Sequence, residues 1–412
     1  MTILRNRRQE AKITTLRLVA ISMLFFILYS ILAYRMYHLQ IKQHDNYYQL
    51  SKHNNKQLIT LAPYRADIID RNNHVIAGYT TQFFMKTHED LSDEEHQILN
   101  KIQLKPQTSL ETQITSPQYA YLSNHLSMGI KPYTKTKRYY PYGQALSHLL
   151  GYTRALGNVR YEMPSEDSVY LQGQSGIEAR YDKYLQGQLG KKYNTLNATG
   201  SIYNTKIDGN PKRSRPLRLT IDQKLQNYAH DQLFGLTGSV IILNPQSGQV
   251  LAATSSPSFD NNTITQDIAT VSSDPSKPLF NRFLQALYPP ASIIKPFIAL
   301  QALEDNIINP HDTLFDPGYY KVNEDSRPYR NYKRSGHGEV NLKKAITLSN
   351  DTYFYSLAHQ LGIDKLTDYL DIFKLADRTS IKLAGEAQGI LPNKAYRKKH
   401  YKNWYTGQTI IS

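Results

Sequence analysis

The sequence contains no cysteine and only one tryptophan. Without a thiol there is no disulfide framework, no Cys-ligated zinc and no cysteine nucleophile. Acidic residues are also few: 49 Lys and Arg stand against 34 Asp and Glu, a formal net charge of +15 over 412 residues. Such an excess fits nucleic acid, anionic lipid, an acidic polymer or a merely soluble basic surface, and only position along the chain separates these. No internal repeat and no long low-complexity tract is visible. Against these absences, 40% of residues are hydrophobic and 32 are tyrosine, which excludes disorder throughout. At roughly 150 residues per domain, the length implies two or more domains.

Long hydrophobic runs are absent with one exception. Leu18 to Tyr34 is an uncharged stretch of 17 residues. As a helix it reaches ~26 Å, near the minimum for a bilayer core of ~30 Å, and Arg17 and Arg35 can snorkel to extend it. Arg5, Arg7, Arg8, Lys12 and Arg17 precede it with only Glu10 against them. The positive-inside rule therefore places the N-terminus in the cytoplasm and everything after Arg35 outside. The alternative is a cleaved signal peptide, but the run is longer than a typical signal core and no small-x-small site follows it before Arg35. This topology argues against nucleic acid as the partner of the basic surface. A second basic cluster, Lys394, Arg397, Lys398, Lys399 and Lys402, lies far from the anchor.

Beyond the anchor, Tyr37 to Asn55 reads as a polar helical stalk. A strand is expected at Gln57–Leu61, then a strand at Ala66–Asp70, an Asn-rich turn and a strand at Val75–Ala77, since Asn tolerates the left-handed turn conformation. Residues ~80 to 215 carry many Gly and Pro turn signals and no long periodic helix, which predicts an irregular α+β region. From Leu217 the pattern changes. Asp222 is placed to cap a helix through Leu225, Tyr228 and Leu233, and Gly238–Leu243 with Gln249–Thr254 flank a turn in a strong hairpin signal. The expected organisation is a cytoplasmic tail (1–17), a transmembrane anchor (18–35), an extracytoplasmic domain (36–215) and a second domain (216–412).

The chemistry is concentrated after the hairpin. Tyr288-Pro289-Pro290-Ala291-Ser292 leads into an apolar helical pattern, so Ser292 is expected at a helix N-terminus. Lys295 then lies at i+3 on the same face, bringing an amine beside a hydroxyl. A serine becomes a good nucleophile when a base takes its proton, and a partly desolvated lysine is such a base. From these residues alone, a solvated Ser and Lys pair on a helix is the commoner outcome. Further on comes Ser349-Asn350-Asp351, after a helix-like run from Val340 to Leu348 and ahead of the apolar stretch Tyr353–Leu361. Ser349 is suited to relay protons and Asp351 to hold Lys295 or substrate; the alternative is a helix-capping pair.

Ser-x-x-Lys followed by a Ser-x-Asn-like triplet is the first two thirds of the penicilloyl-serine transferase signature. The surroundings resemble the class B penicillin-binding proteins over the whole chain. Pro63-x-Arg65-Ala66-x-Ile68-x-Asp70-Arg71-Asn72-Asn73 is similar to the motif that opens their first extracytoplasmic domain. Gly173-x-x-Gly176-Ile177-Glu178 with Tyr181, Leu185, Gly187 and Gly190 is similar to their pedestal motif. Arg138-Tyr139-Tyr140-Pro141-Tyr142-Gly143, Phe315-Asp316-Pro317-Gly318, Gly336-His337-Gly338 and the triplet ending at Asp351 resemble the penicillin-binding protein 2 subfamily, the elongation enzymes, rather than the septal ones.

The resemblance implies an α+β fold: one transmembrane helix, an irregular α+β pedestal domain and a penicillin-binding, serine β-lactamase-like transpeptidase domain. It implies a D,D-transpeptidase that cross-links peptidoglycan pentapeptide stems through an acyl-Ser292 intermediate, with Lys295, Ser349 and Asp351 as the other catalytic residues and β-lactams as inhibitors. It further implies the inner membrane, with the bulk of the chain periplasmic. A SEDS-family glycosyltransferase and other elongation-complex proteins are the implied partners, with membrane but not nucleic acid. A basic surface beside anionic lipid and wall precursors then accounts for the charge.

Three departures qualify the resemblance. No Lys-Ser-Gly or Lys-Thr-Gly, the third signature element, occurs in the sequence. The expectation is therefore an incomplete transpeptidase domain, truncated before that element, with one sheet edge unpaired and activity in doubt. Arg334-Ser335-Gly336 precedes the second motif and does not replace it. The alternative function is a non-catalytic membrane-anchored scaffold of the elongation complex; a β-lactamase or β-lactam sensor is disfavoured by the long pedestal. Ala66 and Asn73 stand where the motif has glycines. Finally, some members of the subfamily look able to hold a zinc through acidic, His and Cys positions. Here Asp316 and His337 remain, Asn331 offers only an amide and there is no cysteine, so no metal and no cofactor is expected, and His337 reads as a loop histidine.

Overall fold

The computed structural model describes residues 2–48, 56–88, 91–104, 111–125, 129–156, 161–164, 169–197 and 199–401. The end of the expected stalk, residues 49–55, and Lys402 of the second basic cluster lie outside the described residues. Helix α1 (Thr2–Tyr37) contains no Gly or Pro and runs unbroken through the apolar stretch. It passes into a single π-turn, His38–Lys42, closed by the Gln43 N–H on the His38 carbonyl at 3.0 Å. Thr15–Lys42 is long and apolar enough to cross a membrane, and none of its apolar window is buried. Within it Ser30 donates its hydroxyl to the Phe26 carbonyl at 2.8 Å, so the polar group is satisfied by its own helix.

Two sheets follow. The first runs Ile202–Asp208, Gly190–Leu196, Lys56–Leu61, Tyr161–Glu162 in spatial order, antiparallel except for the last pair. The second is built on the 13-residue strand Val75–Thr87, which pairs with Ile130–Tyr139 from Gly78↔Tyr139 to Thr87↔Ile130. The expected Asn-rich turn is present: Ile68–Ile69 and Val75–Thr87 are antiparallel across it, with Asn73 at φ 69°. The Asp70 carboxylate accepts the N–H groups of Asn72 and His74 at 2.7 and 2.8 Å and closes that turn. Two nine-residue helices, Asp93–Lys101 and Ser116–Asn124, each start with a capping box. They bury Leu99 and Leu122 against Met85, Ile114 and Ile130. The mixed α+β character expected here is what the structure has, its regularity carried by one long strand pair rather than by helices.

A second core joins Ala66, Ile68, Ile76, Leu146, Leu150 and Ile177 to Ile221 and Leu383, so it draws on residues from both sides of position 215. Inside it lies a buried charge cluster. Glu178 accepts from Arg65 Nε at 2.6 Å and from Arg138 Nε and Nη2 at 2.9 and 2.7 Å, and Arg65 also reaches Asp182 at 2.7 Å. Glu178 is fully buried, and guanidinium donors on both carboxylate oxygens, Arg138 on Oε1 and Arg65 on Oε2, are what make such burial tolerable.

The C-terminal region begins as anticipated. Asp222 Oδ1 accepts the N–H groups of Lys224 and Leu225 at 3.0 and 3.2 Å and caps helix Gln223–Asp231. Strands Gly238–Leu243 and Val250–Ser256 form the hairpin. Among the described residues this is a two-stranded sheet, and Phe234, Leu236, Ile241 and Leu243 beside it are exposed. One expectation is corrected. Val340 does not open a helix: it is buried in strand Gly338–Asn341, opposite Leu314, and the helix is Leu342–Thr347, capped by Asn341. A β-branched residue with a cross-strand apolar partner pairs in a sheet more readily than it starts a helix.

The third core positions the site. Helices α2 (Lys295–Glu304) and α3 (Asp351–Leu361) face each other across Ile298, Ala302, Tyr353, Phe354 and Leu357, backed by Leu366 and Leu370. The two sequence motifs stand at the N-terminal ends of these two packed helices.

Candidate active site

The extended approach expected of the double proline does not reach the site: Pro290 already has helical dihedrals (φ −67°, ψ −16°), Ala291 turns at φ 52°, and Ala291–Ile294 forms a 3-10 turn leading into α2. Ser292 is exposed on that turn, while Lys295, one turn further, is buried. On the facing element, Ser349 sits at φ 49° between helix Leu342–Thr347 and α3. Left-handed backbone in a residue with a Cβ costs on the order of 1–3 kcal/mol, and two such residues flank the reacting hydroxyls.

The structure brings Ser292, Lys295, Ser349 and Asp351 together. Lys295 Nζ donates to the Ser349 carbonyl at 2.7 Å, to Ser349 Oγ at 3.0 Å and to Asp351 Oδ1 at 2.6 Å. Three acceptors match the three N–H bonds of an ammonium group. Its remaining side is covered by the Phe354 ring, 5.6 Å away at the centroid. Ser349 Oγ in turn donates to Ser292 Oγ at 2.6 Å. The amine expected beside the Ser292 hydroxyl is therefore one residue removed: Nζ makes no hydrogen bond to Ser292, and Ser349 bridges them. Serine, serine and lysine form a continuous hydrogen-bonded line that can carry a proton away from an exposed hydroxyl.

Behind this line lies a second group, which the sequence pointed to only as the remnant of a metal site at Asp316, Asn331 and His337, without Asn350. The Asp316 carboxylate is buried and accepts the Gly318 N–H on Oδ1 at 2.7 Å. Its Oδ2 accepts the amides of Asn331 and Asn350 at 2.8 and 2.6 Å, and the backbone N–H and Nδ1–H of His337, both at 3.0 Å. Burial pushes this carboxyl up, but the bonds from Gly318, Asn350 and His337 outweigh it and hold it well below the usual carboxylate range. His337 is thus no free loop residue; its ring is packed on this carboxylate. Asn350, flanked by Ser349 and Asp351, is the N-cap of α3, accepting the Tyr353 N–H at 2.8 Å. The Asn between two singled-out residues was a visible signal, because Asn is a preferred N-cap.

These four side chains are a poor zinc site. Asp316 and His337 are the only ionisable ligands in the group, the amide nitrogens of Asn331 and Asn350 rather than their oxygens face the carboxylate, and no thiolate exists. A structural zinc takes four Cys, His or carboxylate ligands. Among the described residues no three His, Cys, Asp or Glu gather to hold a metal.

Comparison with known proteins agrees with the geometry. The penicillin-binding protein dimerisation domain matches residues 60–219, and the penicillin-binding protein transpeptidase domain matches residues 238–409. Peptidoglycan D,D-transpeptidase MrdA of Haemophilus influenzae is 32% identical over 98% of this chain and 68% of its own length. The Escherichia coli K12 protein of the same name is 31% identical over 93% of this chain and 66% of its own. The chain thus spans about two thirds of the length of these curated relatives. Among solved structures, penicillin-binding protein 2 of Helicobacter pylori in complex with MreC matches with a TM-score of 0.67 and 27% identity, covering 86% of this chain and 73% of that one. Two domain matches in series, and a relative aligned over nearly all of the chain, show that it belongs to the penicillin-binding protein 2 family of peptidoglycan D,D-transpeptidases.

Proposed function

We propose that Ser292 is the acylated nucleophile of a D,D-transpeptidase and that Ser349 relays its proton to Lys295. The observation that carries this reading is the hydrogen-bonded line from Ser292 through Ser349 to Lys295. Once Lys295 has given up its ammonium proton the two hydroxyl bonds reverse, and the proton of Ser292 passes to Ser349 Oγ as the proton of Ser349 passes to Nζ. Ser292 Oγ then bonds the carbonyl carbon of the penultimate D-Ala of a stem pentapeptide. The C–N bond breaks, and the departing D-Ala amine takes the proton back along the same line. An amine of a second stem attacks the ester, forming the cross-link and returning a proton to Ser292. Asp351 anchors Lys295 so that Nζ stays within reach of Ser349.

The bulk of the chain would work in the periplasm, tethered by α1 in the inner membrane with its basic N-terminus in the cytoplasm. Residues 60–219, the part matching the dimerisation domain, are the proposed docking surface for elongation-complex proteins, including a SEDS-type glycosyltransferase. The related Helicobacter pylori protein is in complex with MreC. The sequence lacks Lys-Ser-Gly and Lys-Thr-Gly, so acylation of this chain is expected to be slow and is best read with a β-lactam, whose acyl-enzyme persists. Membranes carrying the chain are labelled with a fluorescent penicillin. A band lost in Ser292→Ala is expected, and no band, or one that survives the substitution, contradicts the reading. Where no band forms a scaffold role remains, tested by capture of the glycosyltransferase on the full chain.

A further inference from the structure

Asp316 ends strand Thr313–Asp316 and has no Lys or Arg partner among the described residues, yet its carboxylate is 1% exposed. Burying an isolated carboxylate is costly unless hydrogen bonds replace its hydration. Here five donors do so, and they come from four places in the chain: Gly318, Asn331, His337 twice and Asn350. The two loops that supply most of them are pinned backbone to backbone. A Cβ on Gly318 would overlap the Arg334 carbonyl, and one on Gly336 would overlap the Asp316 carbonyl. The carboxylate therefore sits in a frame that cannot shift without separating the main chains.

Asn350 leaves this frame toward the reacting groups. Its amide nitrogen is held by Asp316 Oδ2 at 2.6 Å, and its amide oxygen by the Tyr353 N–H at 2.8 Å. The side chain is clamped at both ends. The residue before it, Ser349, holds a left-handed backbone, a conformation that persists only where its surroundings over-determine it. The residue after it, Asp351, opens α3 and reaches Lys295. The frame thus fixes both residues that accept hydrogen bonds from Lys295 Nζ, Ser349 and Asp351.

We propose that Asp316 is a positioning residue of the acyl-transfer site: its carboxylate fixes Asn350, and through it the Ser349 turn and Asp351, doing with hydrogen bonds what these donors are ill suited to do with a metal. The claim rests on the reading of Ser292, Ser349 and Lys295 given above. Asp316 touches neither substrate nor the reacting hydroxyls.

The test compares the full chain with Asp316→Asn, which keeps the volume, and with Asn350→Ala, which keeps the carboxylate if the first variant fails to fold. Hydrogen exchange read by mass spectrometry should accelerate about 10-fold or more over residues 349–353 and stay unchanged in the middle of α2. β-Lactam acylation per folded molecule should fall about 10- to 100-fold, as expected for an unsatisfied buried polar group. The double variant should lose no more than either single one. Zinc or a chelator should leave the melting temperature of the parent chain unmoved. Unchanged exchange over 349–353, faster exchange with undiminished acylation, additive losses, or a melting temperature that follows zinc would each overturn the proposal. A parent chain that takes up no β-lactam contradicts the acyl-transfer reading instead, and the exchange comparison still decides whether Asp316 holds the turn.

Discussion

Ser349 Oγ lies 2.6 Å from Ser292 Oγ and 3.0 Å from Lys295 Nζ, so among the described residues the hydroxyl of the second motif links the two side chains of the first. That arrangement makes Ser349 a participant rather than a cap. Ser349→Ala should lower β-lactam acylation by roughly 10²–10⁴-fold, the range for loss of a positioned proton-transfer group. The folded state should hardly change, because neighbouring backbone bonds remain. Stopped-flow acylation beside urea unfolding separates the two effects.

The same residue separates chemistry from strain. Ser349→Gly also lacks the hydroxyl, but glycine adopts φ 49° without penalty. The glycine variant should be about 1 kcal/mol more stable than the alanine variant while acylating as slowly. Equal unfolding midpoints would show that the left-handed turn stores no strain.

How far the site was legible in the sequence depends on how local each signal is. Ser292 and Lys295 are three residues apart on one helical turn, Asp222 announces its helix, and the hairpin at residues 238–256 is spelled by its turn; all were readable. The Asp316 frame was not. Resemblance set Asp316, Asn331 and His337 side by side only as a depleted metal site; that they join Asn350 in one hydrogen-bonded frame depends on tertiary bonds. Val340 misled because apolar spacing near a helix start does not reveal a cross-strand partner at Leu314. The strand Ile130–Tyr139 was hidden by Pro132 and by its Lys and Thr residues, which cover a long neighbour rather than alternate cleanly.

Glu178 gives a prediction about the fold. It is buried beneath Arg65 and Arg138. Glu178→Gln would leave two buried guanidinium groups without their shared carboxylate and should cost about 3–5 kcal/mol. Chemical denaturation of the soluble part of the chain, with the parent protein beside it, reads this directly; a loss below about 1 kcal/mol would contradict the packing described.

His148 makes stability depend on pH. Burial holds its imidazole down, to about 4, against the favourable bond from Nε2–H to the Pro278 carbonyl at 2.8 Å, and Arg282 and His230 nearby push the same way as burial. An unfolded histidine titrates near ~6.5, so as the pH falls the unfolded chain takes the proton first. This group's contribution is complete above about pH 7, drains between ~6.5 and about 4, and is constant below. Unfolding free energy should drop by about 2 kcal/mol more in the parent than in His148→Gln between roughly pH 7.5 and pH 5. The glutamine keeps a donor for Pro278.

The central claim is that Ser292 carries the acyl group. Incubation with a β-lactam, proteolysis and mass-spectrometric mapping of the modified peptide address it most directly. The account predicts a penicilloyl adduct on Ser292 that is lost in Ser292→Ala; an adduct on Ser349 or elsewhere, or none on a folded chain, would contradict it.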